Sequence, residues 1–133
     1  MTTPIPDGIR EALADVNAPQ RRYNAFVQLT NVDPVDEAAV VALLVPYLDD
    51  DDWGIREGAA WSAGQMRLAA MAPHIEAVIT REGEDEQVRY MAALALCYIN
   101  GDSPEALLAL RNHPDDAVQR VAQAALYAVP YIS

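Results

Sequence analysis

A chain of 133 residues with 52% hydrophobic content is long enough to bury one continuous core and too apolar to be intrinsically disordered. Its 20 acidic and 9 basic residues give a formal charge of −11, which repels nucleic-acid phosphates and anionic headgroups and attracts cationic surfaces. The opening segment has no basic n-region or apolar h-region, no run reaches bilayer length, and Cys97 has no second cysteine for a disulfide or a metal site. These features predict a soluble cytoplasmic protein with no affinity for nucleic acid or membrane.

Apolar residues recur at three- and four-residue spacing along most of the chain, which predicts helices throughout. The first runs from Ile9 to Val16 and leads into a second that opens at Ala18-Pro19. A break at Asn31 to Pro34 precedes a helix over Ala38 to Leu48, and the next helix follows Asp52. A break at Arg67 to Ala72, ahead of Pro73, precedes the pair formed by Met71 to Thr80 and the helix behind Asp85. The run Asn100-Gly-Asp-Ser-Pro104 then separates off the last pair, Pro104 to Leu110 and the helix behind Asp115; Gly101 suits a helix end and Pro104 a helix start.

The second helix of each pair is one motif repeated. Asp52 to Ala63, Asp85 to Leu96 and Asp115 to Leu126 align without gaps, and Ala18 to Leu29 is a weaker copy. Equivalent positions Arg21, Ile55, Val88 and Val118 lie 34, 33 and 30 residues apart. Asp52, Asp85 and Asp115 stand where their side chains can cap the orphan N–H groups of the first turn. Ile55, Val88 and Val118, then Ala59, Ala92 and Ala122, then Ala63, Leu96 and Leu126 form one buried stripe per helix, small enough to bring neighbours close. The expectation is a single domain over 1–133, with repeats at about 6–32, 33–67, 68–101 and 102–131.

The segment Leu44 to Gly64 resembles a HEAT repeat: a leucine-rich helix, an acidic turn, then Ile55-Arg-Glu-Gly-Ala-Ala-Trp-Ser-Ala-Gly64 in place of Val-Arg-x-x-Ala-Ala-x-Ala-Leu-Gly. Val88 to Leu96 matches that second helix almost residue for residue, and the short period is similar to that of phycobilisome lyase proteins. The resemblance covers almost the whole chain; Arg21 stands where the first copy should be apolar, and Gln119 replaces the arginine of the last. It implies an all-α, right-handed solenoid of about four antiparallel helix pairs. It also implies structural roles for Asp52, Asp85, Asp115, Arg22, Arg56 and Arg89, the arginines bridging to caps or turn carbonyls between adjacent repeats.

No nucleophile beside a base, paired carboxylate pocket or metal-ligand array is visible. His74 falls in a first helical turn, His113 in a turn before Pro114, and Cys97 reads as a small buried hydrophobe. Acidic residues gather in the turns inside the pairs: Asp49, Asp50, Asp51 and Asp52; Glu82, Glu84, Asp85 and Glu86; Asp115 and Asp116. These are either a solvated, cap-forming edge or a surface that steers a cationic partner. One step beyond the arginine position come Tyr23, Glu57, Tyr90 and Arg120, and one turn later Val27, Trp61, Leu94 and Ala124. The resemblance would place Tyr23, Glu57, Trp61, Tyr90 and Tyr127 on a shared groove; packing against the neighbouring repeat is the competing reading. Trp53 either staples the turn or stands on the acidic edge.

The function expected on these grounds is a non-enzymatic interaction module, with no cofactor, that binds a basic protein partner through Tyr23, Glu57, Trp61, Tyr90, Tyr127, Trp53, Asp49, Asp50 and Asp51. An acidic immunity protein against a cationic toxin is one alternative, from charge and size alone. A chromophore-lyase subunit is another, from the short repeat's likeness. A HEAT-like DNA glycosylase would need a basic groove, which this composition denies.

Overall fold

The computed structural model describes the backbone of residues 1–132 and side chains through Ala128. Ser133, the last residue of the expected domain, lies outside the described residues. Eight α-helices follow one another among these residues: α1 (Asp7–Ala14), α2 (Pro19–Leu29), α3 (Glu37–Leu44), α4 (Trp53–Gln65), α5 (Ala72–Thr80), α6 (Glu86–Ile99), α7 (Glu105–Leu110) and α8 (Asp116–Ile132). No strand is present among them; Thr3 and Val35 form one isolated parallel bridge. The all-helical solenoid of four helix pairs is the observed architecture: α1 packs on α2, α5 on α6 and α7 on α8, while α2, α4, α6 and α8 stack in sequence.

The first helices are shorter than their apolar runs suggested. The Ala38–Leu48 run is α3 followed by a tighter 3₁₀ turn over Val45–Asp49, because Pro46 removes a backbone donor. Ahead of α5, Ala69–Met71 is likewise a 3₁₀ turn. Val16 lies beyond α1 and is exposed rather than part of the helix. Gly101 closes α6 with a φ of +67°, the left-handed conformation that a side chain would strain.

Capping fixes where the second helices begin. Asp52 accepts from Gly54 N–H at 2.9 Å, Asp85 from Gln87 N–H at 2.8 Å, and Asp115 from Ala117 N–H at 2.9 Å. The stripe behind them is the core: Ile55, Val88, Val118, Ala59, Ala92, Ala122, Ala63 and Leu96 are buried. Leu126 is only half-buried, since no further helix covers α8 among the described residues. Large side chains fill in from the first helices, among them Leu13, Leu44, Ile75, Ile79 and Leu107. Gly64 marks a close approach to backbone, its missing Cβ leaving room for the Ala95 backbone of α6.

An arginine latch repeats from pair to pair. Arg22 donates to the Leu13 carbonyl of its own turn at 2.8 Å and forks onto Asp50 of the next at 2.7 and 3.3 Å. Arg56 donates to the Asp50 and Asp51 carbonyls and forks onto Glu84. Arg89 donates to the Arg81 carbonyl at 2.7 Å and approaches Asp115 to 3.8 Å, an ion pair too long for a hydrogen bond. Gln119 keeps only the first half, donating to the His113 carbonyl at 2.6 Å. The same helical position thus ties each turn to itself and, where it is arginine, to the turn that follows.

Cys97 is buried, and its thiol is pushed up to about 11, chiefly by burial and then by the Asp102 carboxylate. A thiol reagent at about pH 8 is therefore expected to leave the native chain unmodified and to label it in denaturant. Labelling of the native chain at the rate of a free thiol would show that α6 does not enclose the residue.

Candidate functional site

The stacking of α2 against α4 opens a cleft of about 310 Å³. Tyr23 and Val27 rise from α2, Glu57 and Trp61 from α4, and Met91 of α6 closes one end. Two glycines shape it. Tyr23 lays its hydroxyl over Gly54, where a Cβ would collide with it, and the Phe26 ring covers Gly58 at a distance that no Cβ would tolerate. Both glycines are buried on the side of α4 that α2 covers, so their purpose is visible only once α2 is in place.

Glu57 is the chemical focus. It is half-buried, and its Oε2 is buried with no hydrogen-bond donor. Leaving a carboxylate oxygen in that state is costly unless a donor arrives. None of the ion pairs among the described residues reaches it. The local field is negative: the Tyr23 hydroxyl is held above its ordinary value by burial first, then by the Asp52 and Glu57 carboxylates.

The structure divides the nine partner-binding residues expected from sequence. Tyr23, Glu57 and Trp61 share this cleft, but Tyr90 lines a separate one between α6 and α8, with Asp85 and Glu86 at its rim. Tyr127 stands largely exposed on α8, and Trp53 is half exposed beside the Asp52 cap. Tyr23, Glu57 and Trp61 thus line one cleft and Tyr90 another, in place of the single groove expected.

The acidic edge is mostly committed to the fold. Asp49 pairs with Arg81 at 2.9 Å and Asp50 with Arg22 at 2.7 Å, and Asp52 caps α4, which leaves Asp51 exposed with only its carbonyl engaged by Arg56. Burial pushes the Asp50 carboxyl up, yet the Arg22 fork, the Asp52 N–H and the charges of Arg22 and Arg56 outweigh it, and the net shift is downward. A carboxyl lowered in the folded state stabilises at pH above its unfolded value, and that stability is lost as pH falls through the folded value. Asp50→Asn is therefore expected to flatten the loss of thermal stability between about pH 5 and about pH 2, compared with the unsubstituted chain. Identical acid limbs in the two melting series would remove Asp50 as a contributor.

Two histidines occur in the chain. His74 lies in the first turn of α5, and His113 Nδ1 accepts the Asp115 N–H at 3.1 Å. Among the described residues no group of three or more His, Cys, Asp or Glu is placed to hold a metal ion, and no helix is long and apolar enough to cross a membrane.

The HEAT repeats family matches residues 6–97. The chain is 31% identical over 122 residues to the deoxyhypusine hydroxylase of Eremothecium gossypii, covering 91% of this chain and 36% of that protein. To the human deoxyhypusine hydroxylase it is 31% identical over 124 residues, 92% of this chain and 39% of that one. The structure of human deoxyhypusine hydroxylase in complex with glycerol superposes with a TM-score of 0.70 at 28% identity, covering 92% of this chain and 42% of the other. The chain thus spans well under half the length of the relatives it matches.

These relatives are enzymes by name, and that overturns the expectation of a non-enzymatic adaptor and leaves the inhibitor and lyase alternatives without support. The expectation weighed only the reactive residues within this chain, and a solenoid's repeat motif carries packing information with none about chemistry.

Proposed function

The chain belongs to the HEAT-repeat family, and from that premise we propose that it takes part in hydroxylating an amine-bearing residue of the deoxyhypusine kind on a protein substrate. The observation that carries this reading is the likeness to deoxyhypusine hydroxylases over nine-tenths of the chain, in sequence and in fold. Charge supports it. Deoxyhypusine is a lysine extended by an aminoalkyl arm, a flexible cation that a chain of formal charge −11 attracts. The cleft between α6 and α8, with Tyr90 as a wall and Asp85 and Glu86 at its mouth, offers an apolar side to the methylenes and carboxylates to the nitrogens.

Oxygen insertion into a C–H bond requires an activator of dioxygen, a redox metal or an organic cofactor. The donor set of this chain does not fit a metal centre: its histidines stand in different helix pairs, and no carboxylate cluster accompanies either. No step is therefore routed through one, and the contribution assigned to this chain is to bind and orient the cationic residue.

The test uses extracts of the source cells with and without the gene. A deoxyhypusine-bearing peptide is expected to gain one oxygen atom, read by mass spectrometry, only in extracts that contain the chain, and the purified chain should restore the gain. Equal conversion in both extracts would overturn the reading.

A further inference from the structure

Twice in this molecule an arginine sits between a carboxylate and an aromatic ring. Arg22 pairs with Asp50 at 2.7 Å and lies 5.8 Å from the centre of the Tyr47 ring; Arg67 pairs with Asp102 at 3.2 Å and lies 5.8 Å from the centre of the Tyr98 ring. The cleft between α2 and α4 presents the same combination without the arginine. Glu57 lines it and keeps one oxygen, Oε2, buried without a donor, Trp61 follows one turn along α4, and Tyr23 faces them from α2.

We infer that this cleft is a subsite for an arginine side chain of the protein substrate. A guanidinium is planar, weakly hydrated and able to stack on a ring while donating a fork to a carboxylate, which suits the rings and the unpaired Glu57 carboxylate together. An ammonium would satisfy Glu57 but gain less from the ring faces, being more strongly hydrated. Gln20 and Asn24 complete the rim, joined by a hydrogen bond from the Gln20 amide nitrogen to Asn24 Oδ1 at 3.2 Å. Val27 gives the arginine's methylenes an apolar wall. The chain supplies no arginine of its own to Glu57 among the described residues, and the net negative charge brings one in.

This subsite rests on the reading of the substrate as a protein, but its test is separate from hydroxylation. Trp53→Phe leaves Trp61 as the sole indole, and its fluorescence is titrated with Nα-acetyl-arginine methylamide, the citrulline analogue and the lysine analogue. A saturable change with the arginine compound is expected, at least about tenfold weaker with lysine and absent with citrulline. Glu57→Gln should weaken arginine binding about tenfold with melting retained. Asn24→Arg, which places a guanidinium at the cleft rim, should block the titration and serves as the second variant if Glu57→Gln misfolds. Citrulline or lysine matching arginine, or binding unchanged in these variants, would overturn the subsite. Arginine binding without hydroxylation would instead remove the proposed function and leave the subsite standing.

Discussion

Replacing Glu84 by alanine is expected to lower the unfolding free energy by about 3 kcal/mol, the largest effect of any single polar substitution in the chain. The Glu84 side chain is 1% exposed and receives Arg56 Nη2 at 2.8 Å, Arg56 Nε at 3.1 and 3.2 Å, and Arg81 Nη1 at 3.1 Å. It also accepts the Asp85 N–H at 2.7 Å, at the entrance to α6. Its loss would strand the facing sides of two guanidiniums. Arg56 and Arg81 reach enough solvent to recover part of their hydration, which places the effect at the low end for a broken buried pair. Urea denaturation of the two chains measures it. A change within about 0.5 kcal/mol, the size of an exposed ion pair, would show that the acidic turn is ornament to the packing.

Gly64→Ala is the second, expected to cost about 2 kcal/mol net. Helix propensity alone favours alanine by about 1 kcal/mol, so an ordinary helical site would be stabilised. At Gly64 the new methyl would lie 2.8 Å from Ala95 Cα and 2.9 Å from Ala95 Cβ. Backbone cannot rotate aside as a side chain can, so α4 and α6 must separate, and overpacking of this kind costs about 3 kcal/mol. Gly58→Ala would meet a side chain, the buried Phe26 ring, rather than backbone. A denaturation midpoint for Gly64→Ala at or above that of the parent chain would disprove the close approach.

The repeated second helix was legible because capping and burial are both local and periodic. Asp52, Asp85 and Asp115 announce helix starts by residue type, and the Ile55, Ala59, Ala63 spacing shows which face is covered. The position of Arg22, Arg56 and Arg89 could be recognised as structural from the family resemblance, but their carboxylate partners 26 to 28 residues away could not: nothing in the sequence says that Glu84, rather than Glu82 or Glu86, turns inward. The cleft was half legible. Spacing placed Glu57 and Trp61 together; what stayed hidden was that Gly54 and Gly58 admit Tyr23 and Phe26, and that Tyr90 lines a different cleft. Catalytic class was not legible, because the residues that signal chemistry are sparse here and the enzyme likeness rests on relatives rather than on a motif.

The arginine latches also determine how the chain comes apart. Each of the first three joins its own hairpin to the following one, so a lone hairpin forfeits a charged contact as well as an apolar face, and neighbouring units open together. The third is the weakest, Arg89 reaching Asp115 only to 3.8 Å, and Gln119 adds a neutral bond confined to its own turn. Opening therefore begins at the α7–α8 end, and amide exchange should be fastest there and slow inward across α6 and α4.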